Sequence, residues 1–170
     1  MATILKIYKT HPEVVLPKFA TEQSACFDLA FQGYGKNEYT GYNSANKKFV
    51  RPTPKGQIFV NPGERVLVPT GLIFDIPKGY SVRLHPRSGL SLKEGLVLGN
   101  NEAVIDSDYT DELMIMIYNR SQIGRWISNG DRIAQGELVK QSPYSIEEIT
   151  SPPKVKTDRV GGLGSTGVAS

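Results

Sequence analysis

One cysteine and two histidines in 170 residues leave little for sulfur or zinc chemistry. The single thiol, Cys26, excludes an internal disulfide. His11 and His85 stand far apart without ligand spacing, so any metal would have to be held by oxygen. Long apolar runs are missing too: the richest, Leu113 to Tyr118, falls well short of the roughly 18 residues a membrane helix needs. Met1 to Lys9 has no basic start, apolar stretch or small-residue cleavage site of a secretory leader, so a reducing cytoplasm is the expected setting and no membrane partner is expected. The net charge of only +3 gives no warrant for a nucleic-acid partner. It is unevenly placed: Gly33 to Gly56 carries Lys36, Lys47, Lys48, Arg51 and Lys55 against Glu38 alone.

What remains is globular. With 39% hydrophobic and 22% charged residues, the chain has the composition of one folded domain rather than a disordered segment. Pro and Gly recur at such short intervals between Pro62 and Gly136 that no helix of normal length is expected between them. The enclosed segments are short and branched or aromatic: Ile58 to Val60, Arg65 to Val68, Leu72 to Ile76, Tyr80 to Leu84, Leu113 to Tyr118 and Arg132 to Val139. That pattern predicts an all-β sandwich or barrel, with Ser88 to Glu94 as the place for one short helix. Leu113 to Tyr118 is apolar at alternate and intervening positions, as expected of a strand buried on both sides, a pattern that periodicity alone does not separate from a buried helix. Gly33 to Gly56 has weak periodicity and reads as an excursion with little regular structure of its own. The organisation expected is a single β domain over residues 1–150 and a mobile arm over residues 151–170, which has little to bury.

Several polar groupings could carry chemistry. Arg159 to Gly167 joins a fixed cation to a glycine-rich stretch and two hydroxyls, and reads either as a phosphate-covering segment or as a flexible linker. Pro86-Arg87-Ser88-Gly89-Leu90 opens the predicted helix; it could face an anion, or be a plain turn with Ser88 as N-cap. Asp106, in Ile105-Asp106-Ser107-Asp108-Tyr109, is either a turn former or a general base toward water or an oxygen ligand near Mg²⁺. Asp28 lies among apolar neighbours and needs donors or a cation. Strand alternation puts Arg132 and Gln135 on opposite pleat faces, with Asp131 and Arg132 as an ion pair at a sheet corner.

In this order, Ala25 to Leu29, Pro86 to Leu90, Gly99 to Tyr109, Gly130 to Gln135 and Arg159 to Gly167 resemble the motifs of the homotrimeric dUTPase family. The resemblance implies a jelly-roll-like subunit, a trimer with sites lined by all three chains, and hydrolysis of dUTP to dUMP and pyrophosphate. By similarity, Asp106 activates the attacking water and Tyr109 packs on deoxyribose. Asn100 and the hairpin around it bind uracil. Arg87, Ser88, Gly89 and Gln135 hold phosphates, and Arg159, Ser165 and Thr166 take the γ end. Asp28 reaches Mg²⁺ through water. Leu163, followed by Gly164, stands where the family places an aromatic over the base, and Cys26 where it usually has Gly. The last motif is also one residue shorter after Arg159. Gly33 to Gly56 looks like an insertion, similar to those of bacteriophage dUTPases associated with repressor binding, which implies a second, regulatory partner. Two other readings remain at this stage: a dCTP deaminase-like enzyme on the same fold, and a non-catalytic nucleotide-sensing module.

Overall fold

The computed structural model describes residues 3–158. Its strands in chain order are β1 (Lys6–Lys9), β2 (Lys18–Phe19), β3 (Phe27–Ala30), β4 (Glu38–Tyr42), β5 (Lys48–Pro52), β6 (Gln57–Val60) and β7 (Arg65–Pro69). There follow β8 (Leu72–Asp75), β9 (Tyr80–His85), β10 (Leu96–Leu98), β11 (Ala103–Ile105), β12 (Met114–Asn119), β13 (Arg125–Ser128) and β14 (Arg132–Lys140). The single α-helix among the described residues, α1, spans Ser88–Glu94, as expected. It starts after Pro86 and ends on Gly95, whose φ of 68° gives the left-handed stop that closes a helix.

All ladders are antiparallel. One five-stranded sheet runs β10-β12-β7-β4-β5, the other β11-β9-β14-β3-β2, and the pairs β1-β8 and β13-β6 flank them. The inward positions of both sheets, among them Leu29, Val66, Val68, Val82, Leu84, Ile115 and Ile117, form one buried cluster. The arrangement is therefore an open sandwich, not a closed barrel. No helix among the described residues is long and apolar enough to cross a membrane.

Core strands of this kind tolerate truncation poorly. Ile117, fully buried on β12, has no solvent to relax into; Ile117→Ala is expected to lower unfolding stability by about 2–5 kcal/mol in urea denaturation.

β12 departs from the expectation of burial on both faces. Ile115, Ile117 and Asn119 face the core, whereas Met114, Met116 and Tyr118 are only half-buried. Among the described residues nothing fully covers that second face.

The basic segment departs further. Residues 33–56 are not an irregular excursion: β4 and β5 form a hairpin that extends the first sheet through β7, with Gly41 opposite Val66 and Tyr42 opposite Arg65. Gly41 is required there, since a Cβ would stand 2.5 Å from the Phe49 ring and 2.6 Å from the Arg65 carbonyl oxygen. Tyr39 is buried against Phe49 and donates to the Phe59 carbonyl at 2.7 Å. Arg51, 3.8 Å over the Phe49 ring, makes a bidentate bond at 2.8 and 2.7 Å to Glu64, a carboxylate only 4% exposed. Two of the hairpin region's cations are thus spent internally, Arg51 on Glu64 and Lys36 on Glu112 at 3.0 Å. Beyond β14, residues 141–158 contain no helix or strand and are exposed.

Candidate active site

Two groups of polar residues emerge, in separate clefts of the one chain. The first surrounds the connection from β10 to β11. Asn100, Asp106 and Tyr109 line a cleft of about 260 Å³ whose walls are Leu67, Met114 and Met116. The outward apolar face of β12 is therefore the wall of a ligand-sized hollow. Asp106 follows β11 directly and is exposed, its carbonyl accepting from the Tyr109 amide at 3.2 Å. The Tyr109 hydroxyl donates to the Glu112 carbonyl at 2.9 Å, which anchors the ring at the cleft rim. Burial, with the charges of Asp111 and Glu112, pushes its phenol up, so it stays protonated.

The expected hairpin here takes another form. β10 pairs with β12 in one sheet and β11 with β9 in the other, so the turn carrying Asn100 bridges the two sheets. The Gly99 amide donates to Met116 at 2.8 Å, and Asn101 adopts a positive φ of 60°.

The second group gathers on the outward face of the other sheet. Asp28 on β3 receives Arg87 Nε on Oδ1 at 2.8 Å and Arg132 Nη1 on Oδ2 at 3.0 Å. These are the partners its half-buried position demands. Gln135 stands directly opposite Asp28 on β14 and donates to the Pro86 carbonyl at 3.0 Å. Ser88 and Gly89 open α1; Arg87, not Ser88, occupies the N-cap position, and it makes no side-chain cap bond. Asp28, Arg87, Ser88, Gln135 and Cys26 line a cleft of about 320 Å³. Burial and the nearby Glu137 charge push the Cys26 thiol up, so it behaves as a neutral packing group.

Arg132 was misread from the sequence. The ladder between β14 and β3 slips between Arg132 and Ala134, pairing Arg132 with Ala30 and Gln135 with Asp28. The extra residue reverses the alternation, so Arg132 and Gln135 share a face. Arg132 binds Asp28 rather than Asp131, whose carboxylate accepts from the Ser128 amide at 2.7 Å. The local sequence carries no signal for such a bulge. Arg159, Leu163, Gly164, Ser165 and Thr166 lie outside the described residues.

The open β-sandwich thus carries two kinds of lining: an aromatic-rimmed hollow that suits a ring, and a separate guanidinium, hydroxyl and amide cluster that suits negative charge. Comparison with known proteins agrees. The sequence matches the family model described as dUTPase over residues 55–167, beginning just after the β4–β5 hairpin. It is 34% identical over 167 residues to the deoxyuridine 5'-triphosphate nucleotidohydrolase of Nautilia profundicola, covering 96% of this chain and 98% of that one. To the protein of that name from Finegoldia magna it is 38% identical over 153 residues, 89% of this chain and 91% of that one. The dUTPase of Staphylococcus bacteriophage 80alpha with dUPNHPP shares the fold, with a TM-score of 0.74 at 20% identity over 98% of this chain and 100% of that one. So does a dUTPase from phage phi11 of S. aureus described for its structural Mg(II) ion, with a TM-score of 0.65 at 20% identity over 88% of this chain and 98% of that one. The chain belongs to the dUTPase family.

Proposed function

We propose that the protein hydrolyses dUTP to dUMP and pyrophosphate, with Asp106 as general base for the water that attacks the α-phosphorus. The observation that carries this reading is an exposed carboxylate at the rim of a hollow shared with Asn100 and Tyr109, in a chain that aligns end to end with nucleotidohydrolases. Tyr109 packs on the deoxyribose and leaves no room for a 2′-hydroxyl. Asn100 and the sheet-bridging turn pair with uracil. A rigid polar site of this kind rejects cytosine by its reversed donor pattern. Arg87, Ser88, Gly89 and Gln135 bind the phosphates, and Arg159, Ser165 and Thr166 complete the γ end. Leu163 and Gly164, on an arm of residues 151–170, close over the base.

The proposed nucleoside and phosphate ligands line separate clefts of one chain, an arrangement that a homotrimer with sites shared between subunits would complete. Among the described residues no cluster of three or more His, Cys, Asp or Glu could hold a metal, yet Asp28 is a carboxylate whose oxygens each keep capacity beyond one guanidinium bond. That donor set suits a hydrated Mg²⁺ reached through water and held chiefly by phosphate oxygens. The ion when bound supplies neutralisation of triphosphate charge. A cytoplasmic setting fits the free thiol.

The test is pyrophosphate release from dUTP beside dTTP, dCTP and UTP, with Mg²⁺ and with chelator. Selective release from dUTP supports the reading. Ammonia release from dCTP would make it a deaminase, and tight dUTP binding without turnover would make it a sensor.

A second, regulatory role rests on a different observation. The β4–β5 hairpin leaves Tyr42 and Val50 exposed beside Lys48, the aromatic, apolar and basic mixture that protein partners use. We propose that it docks a regulatory repressor protein. In binding assays against candidate repressors, Tyr42→Ala with Val50→Ser is expected to abolish binding and leave dUTP turnover unchanged; retained binding would overturn the role.

A further inference from the structure

Asp28, Gln135 and His85 form one cross-strand row on the outward face of the second sheet, since Gln135 is register partner to both of the others. With strands about 4.8 Å apart, His85 stands within about 10 Å of Asp28. Its imidazole is half-buried, and its Nε2 lies 3.0 Å from Glu137 Oε1. A carboxylate only accepts, so Nε2–H donates to it. His85 also precedes Pro86, whose carbonyl takes the Gln135 amide, so the strand end leading into Arg87 and Ser88 is tied to β14 twice.

The carboxylates of this face are not equally neutralised. Asp28 holds two guanidinium groups, and Glu102 holds Arg83. Glu137 has Arg83 as its cross-strand neighbour on β9, but that cation is turned to Glu102. The Glu137 charge also acts on the Cys26 thiol just before β3; burial and that charge together help the thiol keep its proton. The side-chain hydrogen-bond partner of Glu137 among the described residues is His85. Glu137 lies two residues along β14 from Gln135, about 7 Å away and on the same face. A triphosphate arriving at Arg87, Ser88 and Gln135 therefore has a carboxylate beside its path.

We propose that His85 is a positioning residue for the phosphate end of the substrate: its Nε2–H hydrogen bond holds the Glu137 carboxylate toward β9, so that Glu137 does not turn to repel the triphosphate. The proposal rests on the reading of Arg87, Ser88 and Gln135 as phosphate ligands. His85→Ala is expected to raise the KM for dUTP about tenfold with kcat within about twofold, since a freed charge at this distance opposes binding rather than chemistry. The ratio of variant to wild-type KM shrinks as salt screens the repulsion. His85→Gln, which keeps a donor, recovers most of the affinity, and Glu137→Gln in the His85→Ala background restores it. Glu137→Gln alone leaves KM at or below the wild-type value. A purely structural pair would behave oppositely: Glu137→Gln would be as damaging as His85→Ala and the double variant no better, and that result, or an unchanged KM in His85→Ala, overturns the proposal. Wild-type protein inactive on dUTP overturns the functional reading and this inference together. Normal wild-type activity with inert His85 variants overturns the inference alone.

Discussion

Asp106→Asn is expected to reduce pyrophosphate release from dUTP by about 10³-fold while leaving the Kd for dUTP and the melting temperature near their wild-type values. The carboxylate makes no hydrogen bond or ion pair within the described residues and lies at the exposed end of β11, so its replacement removes no folding interaction. Asparagine keeps its size and its ability to meet water but cannot accept the proton that the attacking water must lose. The loss therefore falls on kcat, the signature of an interaction needed only in the transition state. Pre-steady-state turnover with parallel calorimetric titration of dUTP separates the two quantities. A variant that retains wild-type kcat would remove Asp106 from the mechanism.

Arg51→Ala is expected to be the most destabilising substitution in the hairpin, costing about 3–5 kcal/mol in urea denaturation at neutral pH. Arg51 itself is partly exposed; the cost arises because Glu64, at 4% exposure, would keep its charge without its bidentate partner. In the intact protein burial acts to raise the Glu64 carboxyl, but the Arg51 hydrogen bonds and the Asn61 amide outweigh it and hold it below the usual carboxylate range. A carboxyl depressed on folding contributes stability that is present above its unfolded pKa and lost as pH falls through the folded one. In Arg51→Ala burial acts unopposed by that cation, the sign reverses, and the variant regains stability on acidification. The stability gap between the two proteins should narrow from pH 7 to pH 5, and a gap that widens would contradict the assignment. For the same reason, excision of residues 33–56 strands Glu64, so surface substitutions at Tyr42 and Val50 test the regulatory role more cleanly than deletion does.

Much of this was legible before the fold was known, and the residues show why. The strands around Val66, Val82 and Ile117 follow from short branched segments between obligatory turns, and α1 is bracketed by Pro86 and Gly95. Asp28 could be read as a carboxylate in need of a cation, because that requirement is local, but the identity of both guanidinium donors is not: Arg87 comes from the N-cap of α1 and Arg132 from β14. The β4–β5 hairpin was illegible because its few packing residues, Tyr39, Gly41 and Phe49, stand among lysines and asparagines that resemble a solvated loop, and the partner of Arg51, Glu64, lies outside the segment.

By itself, then, the sequence determined the class: period-two apolar segments, turn residues and ordered motifs are local, and local propensity suffices to dictate an all-β chain of this family. Only the tertiary structure decided register and neighbourhood. A one-residue slip between Arg132 and Ala134 put Arg132 on the face of Asp28. The same register set Glu137 beside His85, and the division of β10 and β11 between two sheets made the turn that carries Asn100 a bridge between them. Contacts between strands distant in sequence depend on how the whole core packs, and no local pattern encodes them.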